Sequence, residues 1–373
     1  MPIAYPLPVA VCFPAPPDSA DDAGCVRVYA RALEGMQKEV VVCRSVGGSD
    51  WRLLCDEGPY LDGTDLAPPP LAFFAAGMAA HNAGLLVEEA ERRGLDLGHW
   101  SLSQDTYYTM EGSALQGTMT GGALPVDHSL ASDRADSRTC SELMAAALRR
   151  SVAEALMASA FAGDFTIAHN DELIDTGRVK AASSPPPEVE SALWNHLEAP
   201  DLDDGIIRKL RTVDPSSDPT HGKGASLREF QKRQLWLHSV LVPGSDGQFE
   251  VTVELRQPLG SVFCFRAAAG EGATTAPGGL DYLASGIALC FLTQMGRYAK
   301  IIRGDLAAYS VVQDFWFRPE PPKVRGIETH ARVHSREDHD TVRRYVDMSE
   351  QTCFLHASCR SVNPSRISDG RST

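Results

Sequence analysis

The sequence predicts an α+β protein made of two tandem units that share the element order β-β-β-α-β-β-α. One observation behind this is an internal repeat: residues 68–105 align with residues 277–314 without a gap, which indicates a duplication. The other is that each copy has strand-rich segments on both sides of one long apolar segment, the composition of a buried helix. Identical pairs include Pro68/Pro277, Gly77/Gly286, Asp96/Asp305, Gln104/Gln313 and Asp105/Asp314.

The elements of the first copy follow from composition along the chain. Segments rich in Val, Leu and aromatic residues, separated by glycine or charged turns, predict strands. The long helix begins after three prolines. Its first half is apolar all round and its second half is charged, which predicts a buried start and a solvent-exposed end. The predicted order is strands at 25–34, 38–44 and 51–56, a helix at 71–93, strands at 99–111 and 123–131, and a helix at 139–160.

The second copy repeats this order after an intervening segment. Residues 183–229 are dense in Pro, Asp, Ser and Gly, which predicts a linker with one short helix around 188–197. The residues from 362 onward are predicted to be a frayed tail. The second copy is predicted to have a β-rich region at 232–267, a helix at 280–300, strands at 306–318 and 325–334, and a helix at 336–352. The predicted division is 1–182 for the first copy, 183–229 for the linker and 230–373 for the second copy.

Composition limits the classes of function. A chain of 373 residues with 43% apolar content can bury a large core. Its net charge of −14 argues against a nucleic-acid or anionic-membrane surface and favours a small-molecule substrate. No run was found that approaches the ~18 apolar residues of a membrane span, and the N-terminal residues lack the basic start of a signal peptide, so a soluble cytoplasmic protein is expected.

The cysteines and histidines of the two copies differ at matching positions. The first copy reads Gly-Met-Ala-Ala-His81 where the second reads Gly-Ile-Ala-Leu-Cys290. A second thiol, Cys353, follows after the next two strands and helix. A cysteine four residues after a glycine on an apolar helix, followed by these elements and another cysteine, resembles the OsmC/Ohr family. The resemblance covers residues 25–160 and 232–360.

That resemblance implies a function and an arrangement. The family's members are thiol-dependent hydroperoxide reductases, which implies Cys290 as the peroxidatic thiol and Cys353 as the resolving thiol. Family members are usually intertwined homodimers, which implies that the two copies form an internal pseudo-dimer with central buried helices. The first copy, with His81 opposite Cys290 and Ser159 opposite Cys353, is then the degenerate one. No bound cofactor is expected, and an external dithiol or low-molecular-weight thiol is the implied reductant.

Two supporting groups of the family have no direct counterpart. The family commonly has a Glu ten residues before the peroxidatic cysteine, where this chain has Leu280 with Asp281 beside it. Asp281 is therefore a candidate supporting residue. The candidates for the family's active-site arginine are Arg27, Arg228 and Arg233.

Other residues carry alternative interpretations. The cysteine at 290 can be a small hydrophobe inside an apolar helix. His81 is a candidate base or hydrogen-bond donor, or a core histidine. Cys353, His356 and Cys359 recur at a spacing of three and can, with Cys290, form a zinc set, although the spacing matches no standard signature. The odd number of cysteines, nine, indicates reduced thiols, and those treated as structural are Cys12, Cys25, Cys43, Cys55, Cys140 and Cys264.

Three functions follow from these observations. The first is reduction of organic hydroperoxides by Cys290 and Cys353 in an apolar pocket between the copies. The second keeps the thiols but directs them at a different electrophilic or sulfur-containing metabolite. The third is a non-catalytic ligand-binding module in which Cys290 is part of the core.

Overall fold

The computed structural model describes residues 2–8, 13–16, 24–45, 48–187, 191–197, 205–214, 233–244, 247–270 and 274–368. Two β-sheets and a layer of helices form an α+β fold, as predicted. The strands of the first part are β1 (Ala4–Pro6), β2 (Gly24–Ala32), β3 (Lys38–Arg44), β4 (Trp51–Cys55), β5 (Trp100–Glu111), β6 (Thr120–Ala123), β7 (Asp127–Ser132), β8 (Asp164–His169), β9 (Glu172–Ile174) and β10 (Lys180–Ala181). The later strands are β11 (Ile207–Arg211), β12 (Arg233–Pro243), β13 (Gln248–Gln257), β14 (Val262–Ala268), β15 (Ala308–Arg318), β16 (Lys323–His334) and β17 (Arg366–Ile367). The α-helices are α1 (Pro70–Arg92), α2 (Ser137–Arg150), α3 (Val152–Ala158), α4 (Gly279–Ile302), α5 (His339–Thr352) and α6 (Phe354–Arg360).

The two long helices, α1 and α4, pack against each other through backbone contact in the core. A side chain at Gly77 would bring its Cβ within 2.4 Å of the backbone nitrogen of Leu283. One at Gly286 would come within 2.7 Å of the backbone nitrogen of Phe74. These glycines, identical in the repeat, are therefore required for the close approach of the helices rather than for a turn.

Each sheet in the described part of the chain combines strands from both halves. One sheet has the order β1-β4-β3-β2-β15-β16-β8-β10, with β9 on β8. The other has the order β11-β14-β13-β12-β5-β7-β17, with β6 on β5. The exchange occurs where β2 pairs antiparallel with β15 and where β12 pairs antiparallel with β5. Neither half therefore completes a sheet alone, and one continuous hydrophobic core fills the space between the sheets and helices.

A capping residue breaks the first predicted C-terminal helix, and an equivalent residue directly follows the second. The helix predicted at 139–160 is interrupted at Ser151, whose Oγ accepts a hydrogen bond from the backbone of Glu154. The equivalent break after α5 is at Cys353, whose Sγ accepts from the backbone of His356. The predicted match of Ser159 with Cys353 is therefore wrong. Ser151 occupies the position of Cys353, because both residues satisfy the free N–H groups at the start of a new helix.

Several short strands lie outside the predicted elements. The predicted linker contains β11, which pairs with β14, and a 3₁₀ helix at Ser191–His196 within the range predicted for a short helix. The strand β8, which was not predicted, pairs in parallel with β16 and so extends that sheet. The predicted tail contains β17, paired with β7, while residues 369–373 lie outside the described residues. Such short strands gain their hydrogen bonds from an existing sheet edge, so their own sequences carry little signal.

The helix α1 passes a length and composition test for a membrane span. Its best window has a mean hydropathy of 1.4, so the expectation that no run approaches this character was wrong. Within the protein, 83% of that window is buried. The apolar character of α1 is thus accounted for by its central position in the core.

Candidate active site at Cys290

The structure brings the two predicted catalytic cysteines together. Cys290 lies in the middle of α4, and Cys353 lies at the break between α5 and α6. A side-chain hydrogen bond joins their thiols, and the backbone N–H of Leu355 donates to Cys290. Both residues are buried, with exposures of 2% for Cys290 and 0% for Cys353. The break before α6 therefore gives the second thiol its position against the first.

Cys290 lines a cleft that both halves of the chain form. The cleft has an empty volume of about 360 Å³, which includes space that is open to solvent. Its walls are mostly apolar, with a few polar groups near the thiol. The lining residues are Glu57, Tyr60, Leu61, Pro69, Pro70, Leu71, Leu235, Leu255, Cys290, Thr293, Gln294 and Phe354. A small apolar molecule with one polar end matches this lining.

A carboxyl group from the first half, Glu57, lies in this cleft. The hydroxyl of Tyr60 donates to Glu57 Oε2 at 2.9 Å. Burial raises the pKa of Glu57, and the positive charge of Lys38 opposes that rise. No pattern in the sequence pointed to Glu57, because this residue precedes α1 by a loop and approaches Cys290 only through the exchange of strands between the halves.

The electrostatic surroundings of Cys290 favour the protonated thiol. Burial raises the pKa of Cys290 well above its usual value, and the hydrogen bond with Cys353 and the charge of Glu57 raise it further. Among the described residues that line the cleft there is no Lys or Arg. Lys38 lies close by, but its ammonium donates to the carbonyl of Met36 at 2.6 Å. Attack on a substrate therefore requires removal of a proton from Cys290.

The supporting residues predicted from the sequence have other partners. Asp281 Oδ2 accepts from the backbone of Gly278 at 2.7 Å and Oδ1 accepts from Arg44 Nε at 2.6 Å, so this carboxylate caps the start of α4. Arg27 donates to both carboxylate oxygens of Asp314, at 2.6 and 2.7 Å.

Of the three candidates for the active-site arginine, the structure describes the side chain of Arg27 alone. Arg27 alternates along β2 with Val26 and Val28, which face the main core, so its side chain lies on the opposite face of the sheet. The prediction that Arg27 is the active-site arginine is therefore wrong. Arg228 and the side chain of Arg233 lie outside the described residues.

At the equivalent place in the first half, polar groups replace the thiols. His81 Nε2 accepts from the backbone of Val152 at 3.2 Å. Ser151 Oγ donates to Asn82 Oδ1 at 2.6 Å, and Asn82 donates to Glu154 at 3.3 Å. The half-buried His81 thus holds the start of α3, and its ring lies in the first half rather than among the residues that line the Cys290 cleft.

The proposed metal set does not converge. His356 packs between aromatic rings, 5.8 Å from the centroid of Phe165 and 5.5 Å from that of Phe291, and burial lowers its pKa to about 4. Cys359 Sγ donates to the carbonyl of Leu355 at 3.2 Å. In the described ranges no group of three or more His, Cys, Asp and Glu residues is arranged to hold a metal ion. A zinc site made from Cys290, Cys353, His356 and Cys359 is therefore wrong.

The remaining cysteines are free and buried where the structure describes them. Cys55 differs from the others because it pairs with Lys38 across β3 and β4 and interacts electrostatically with Cys290. Burial raises the pKa of Cys55 well above its usual value. Cys12 lies outside the described residues.

Comparison with known proteins identifies part of the chain. Residues 270–367, which contain both thiols of the cleft, match the family model described as OsmC-like protein. A crystal structure of an OsmC-like hydroperoxide resistance protein from Jannaschia sp. CCS1 is 18% identical, and the alignment covers 32% of this chain and 83% of that chain at a TM-score of 0.23. No curated protein matches the chain. The similarity to the OsmC-like protein family is therefore found over residues 270–367.

Proposed function

We propose that this protein is a thiol-dependent reductase of organic hydroperoxides, with Cys290 as the peroxidatic nucleophile and Cys353 as the resolving thiol. The observation that carries the proposal is the hydrogen bond between these two thiols at an apolar cleft. A thiol pair in contact can pass between dithiol and disulfide without a large movement of the backbone. The match of residues 270–367 to the model of OsmC-like proteins supports the same chemistry.

The proposed reaction has three steps. Cys290, as the thiolate, attacks the outer oxygen of ROOH; the S–O bond forms, the O–O bond breaks, and RO⁻ leaves to take a proton as ROH. The thiol of Cys353 then displaces the oxygen of the sulfenic acid, which forms the disulfide and releases water. An external dithiol or two low-molecular-weight thiols exchange with the disulfide, are themselves oxidised, and restore both cysteines.

We extend the proposal to the organisation of the chain. Residues 1–182 and 230–373 are two copies of one unit, joined by 183–229, and they form an internal pseudo-dimer. The strand exchange between the sheets and the glycine contacts between α1 and α4 support this arrangement. The first copy is then a partner that supplies wall residues such as Glu57 and has no thiol pair of its own. The proposed setting is the cytoplasm, where thiol reductants are abundant.

The test is mass-spectrometric mapping of thiols in the native protein, before and after one equivalent of cumene hydroperoxide. The expected product is a Cys290–Cys353 disulfide that forms within the mixing time and disappears on addition of dihydrolipoamide. A Cys353→Ser variant should instead accumulate sulfenic acid at Cys290. Unmodified thiols with unconsumed hydroperoxide would contradict the proposal.

A second candidate function is favoured by the electrostatics of the site. The raised pKa of Cys290 and the lack of a cation among the described lining residues are unusual for a group that must act as a thiolate against peroxide. In this alternative, Cys290 attacks a more reactive carbon or sulfur electrophile. Loss of adduct formation in Cys290→Ala, together with no hydroperoxide consumption by the unaltered protein, would favour it.

A further inference from the structure

We propose that Glu57 makes the Cys290 cleft selective for neutral substrates over anionic ones. The proposal names the substrate class for the proposed peroxide reduction and rests on it for the identity of the reaction. It also makes a claim about the access of any electrophile to Cys290, which can be tested without peroxide.

The charge balance of the cleft is the first step of the argument. Of the described residues that line it, Glu57 is the one acidic residue, and none is basic. The other lining groups are neutral hydroxyl, amide and thiol groups or apolar side chains. An anionic substrate therefore meets a negative charge without a compensating partner inside the cleft.

Opposing influences act on the ionisation of Glu57. Burial raises the pKa of Glu57, whereas the positive charge of Lys38, which lies outside the lining, and the hydrogen bond from the Tyr60 hydroxyl act to lower it. Hydrogen bonds and an opposite charge stabilise a carboxylate, although burial works against them. Because the net shift of the Glu57 pKa is upward, the carboxylate form is favoured at mildly alkaline rather than at acidic pH.

The position of Glu57 gives this charge its effect. The residue is 4% exposed, so water screens its charge poorly. The charge of Glu57 also acts on the thiol of Cys290, whose sulfur the substrate must reach. Two like charges in such a site repel far more strongly than they do at the surface. An anionic group brought beside Cys290 is consequently disfavoured, whereas an uncharged molecule of the same size gains the apolar contacts without this cost.

The test compares two alkylating reagents of similar size, neutral iodoacetamide and anionic iodoacetate, at mildly alkaline pH. The rate of modification of Cys290 is followed by mass spectrometry of its peptide, and 2-mercaptoethanol gives the intrinsic ratio of the two reagents. We expect the ratio of amide to acid rates at Cys290 to exceed the intrinsic ratio by at least about tenfold. Glu57→Gln should bring it close to the intrinsic value. Asp62→Asn removes an exposed carboxylate of the same loop, paired with Lys300, and should leave the ratio unchanged.

If Cys290 in the unaltered protein shows the same ratio of amide to acid rates as 2-mercaptoethanol, the proposal is overturned without any variant. A ratio that Glu57→Gln leaves unchanged, or that Asp62→Asn reduces as much, would also overturn it. In a parallel assay, a fatty acid hydroperoxide should be reduced more slowly than its methyl ester, and Glu57→Gln should narrow the difference. Absence of turnover with both would refute the proposed peroxide reduction and leave the alkylation ratio to decide the selectivity.

Discussion

At the junction of α2 and α3, Ser151 caps the second helix with its hydroxyl, whereas at the junction of α5 and α6, Cys353 does so with its thiol. The first site continues into a buried polar network through Asn82 and Glu154. The second continues into the hydrogen bond with Cys290 and opens on an apolar cleft. The same backbone arrangement thus supports either a buried polar network or a pair of neighbouring thiols.

The comparison teaches that capping and chemistry are separable. Any side chain that accepts a hydrogen bond can cap the helix that begins after such a break. The helix geometry therefore places weak demands on residue type. The thiol of Cys353 meets that demand and leaves sulfur available for exchange with Cys290. In the first half, the hydroxyl of Ser151 meets it and donates onward to Asn82.

The largest expected effect comes from removing the nucleophile. Cys290→Ser should abolish hydroperoxide consumption, because a hydroxyl does not replace a thiolate in attack on the O–O bond. The matched change at the equivalent position of the first half, His81→Ala, should leave the initial rate of consumption unchanged. Rates measured with cumene hydroperoxide and dihydrolipoamide test both. A Cys290→Ser protein that keeps its activity would refute the assignment of the nucleophile.

The contact between the halves is expected to have the next largest effect. Gly77→Ala places a Cβ 2.4 Å from the backbone nitrogen of Leu283, so α1 and α4 must separate. The free energy of unfolding should fall by about 3 kcal/mol, measured by urea denaturation. In the control Gly326→Ala, the added Cβ meets nothing within 4 Å, and stability should change little. Equal effects in the two variants would show that the helices tolerate a wider spacing.

The polar network of the first half should contribute less, and in a pH-dependent way. Burial disfavours the charged form of Glu154, but the hydrogen bond and charge of His128 outweigh it and hold the pKa of Glu154 below its usual value. A carboxyl with a lowered folded-state pKa stabilises the fold above its unfolded pKa and loses that contribution as pH falls through the folded value. Glu154→Gln should therefore lower the free energy of unfolding by about 1–3 kcal/mol at neutral pH and by progressively less in acid.

The measurement is thermal unfolding of the unaltered protein and of Glu154→Gln across a range of pH, which gives the difference in stability between them. Glu88→Gln is the matched control, because Glu88 pairs with Arg150 on the surface and should matter little at any pH. A difference between the unaltered protein and Glu154→Gln that is independent of pH would argue that the carboxylate charge has no part in the network.

The smallest predicted effect concerns the position of Cys353. Gly121 in β6 packs against the backbone next to this thiol, and a Cβ there would lie 2.6 Å from the carbonyl oxygen of Thr352. Gly121→Ala should displace Cys353 slightly and slow disulfide formation by about threefold to tenfold, while the first oxidation of Cys290 keeps its rate. Rapid-quench mass spectrometry separates the two steps. Equal slowing of both would indicate a general disturbance of the site.

The sequence by itself determined the elements that local pattern controls. The repeat at 68–105 and 277–314 and the two long helices were apparent from composition and spacing, and the resemblance to the OsmC/Ohr family implied the pairing of the thiols at 290 and 353. These features are local: apolar runs and glycine positions act through neighbours in the chain, and the duplication repeats them in order.

Only the tertiary structure decided how the halves meet. The pairing of β2 with β15, the approach of Glu57 to Cys290 and the helix break at Ser151 all depend on contacts between residues far apart in the chain. The charges of Arg27 and Asp281 could not be assigned from spacing either, because their partners, Asp314 and Arg44, come from the opposite half. Composition records which groups a chain has, but packing determines which of them share a cavity.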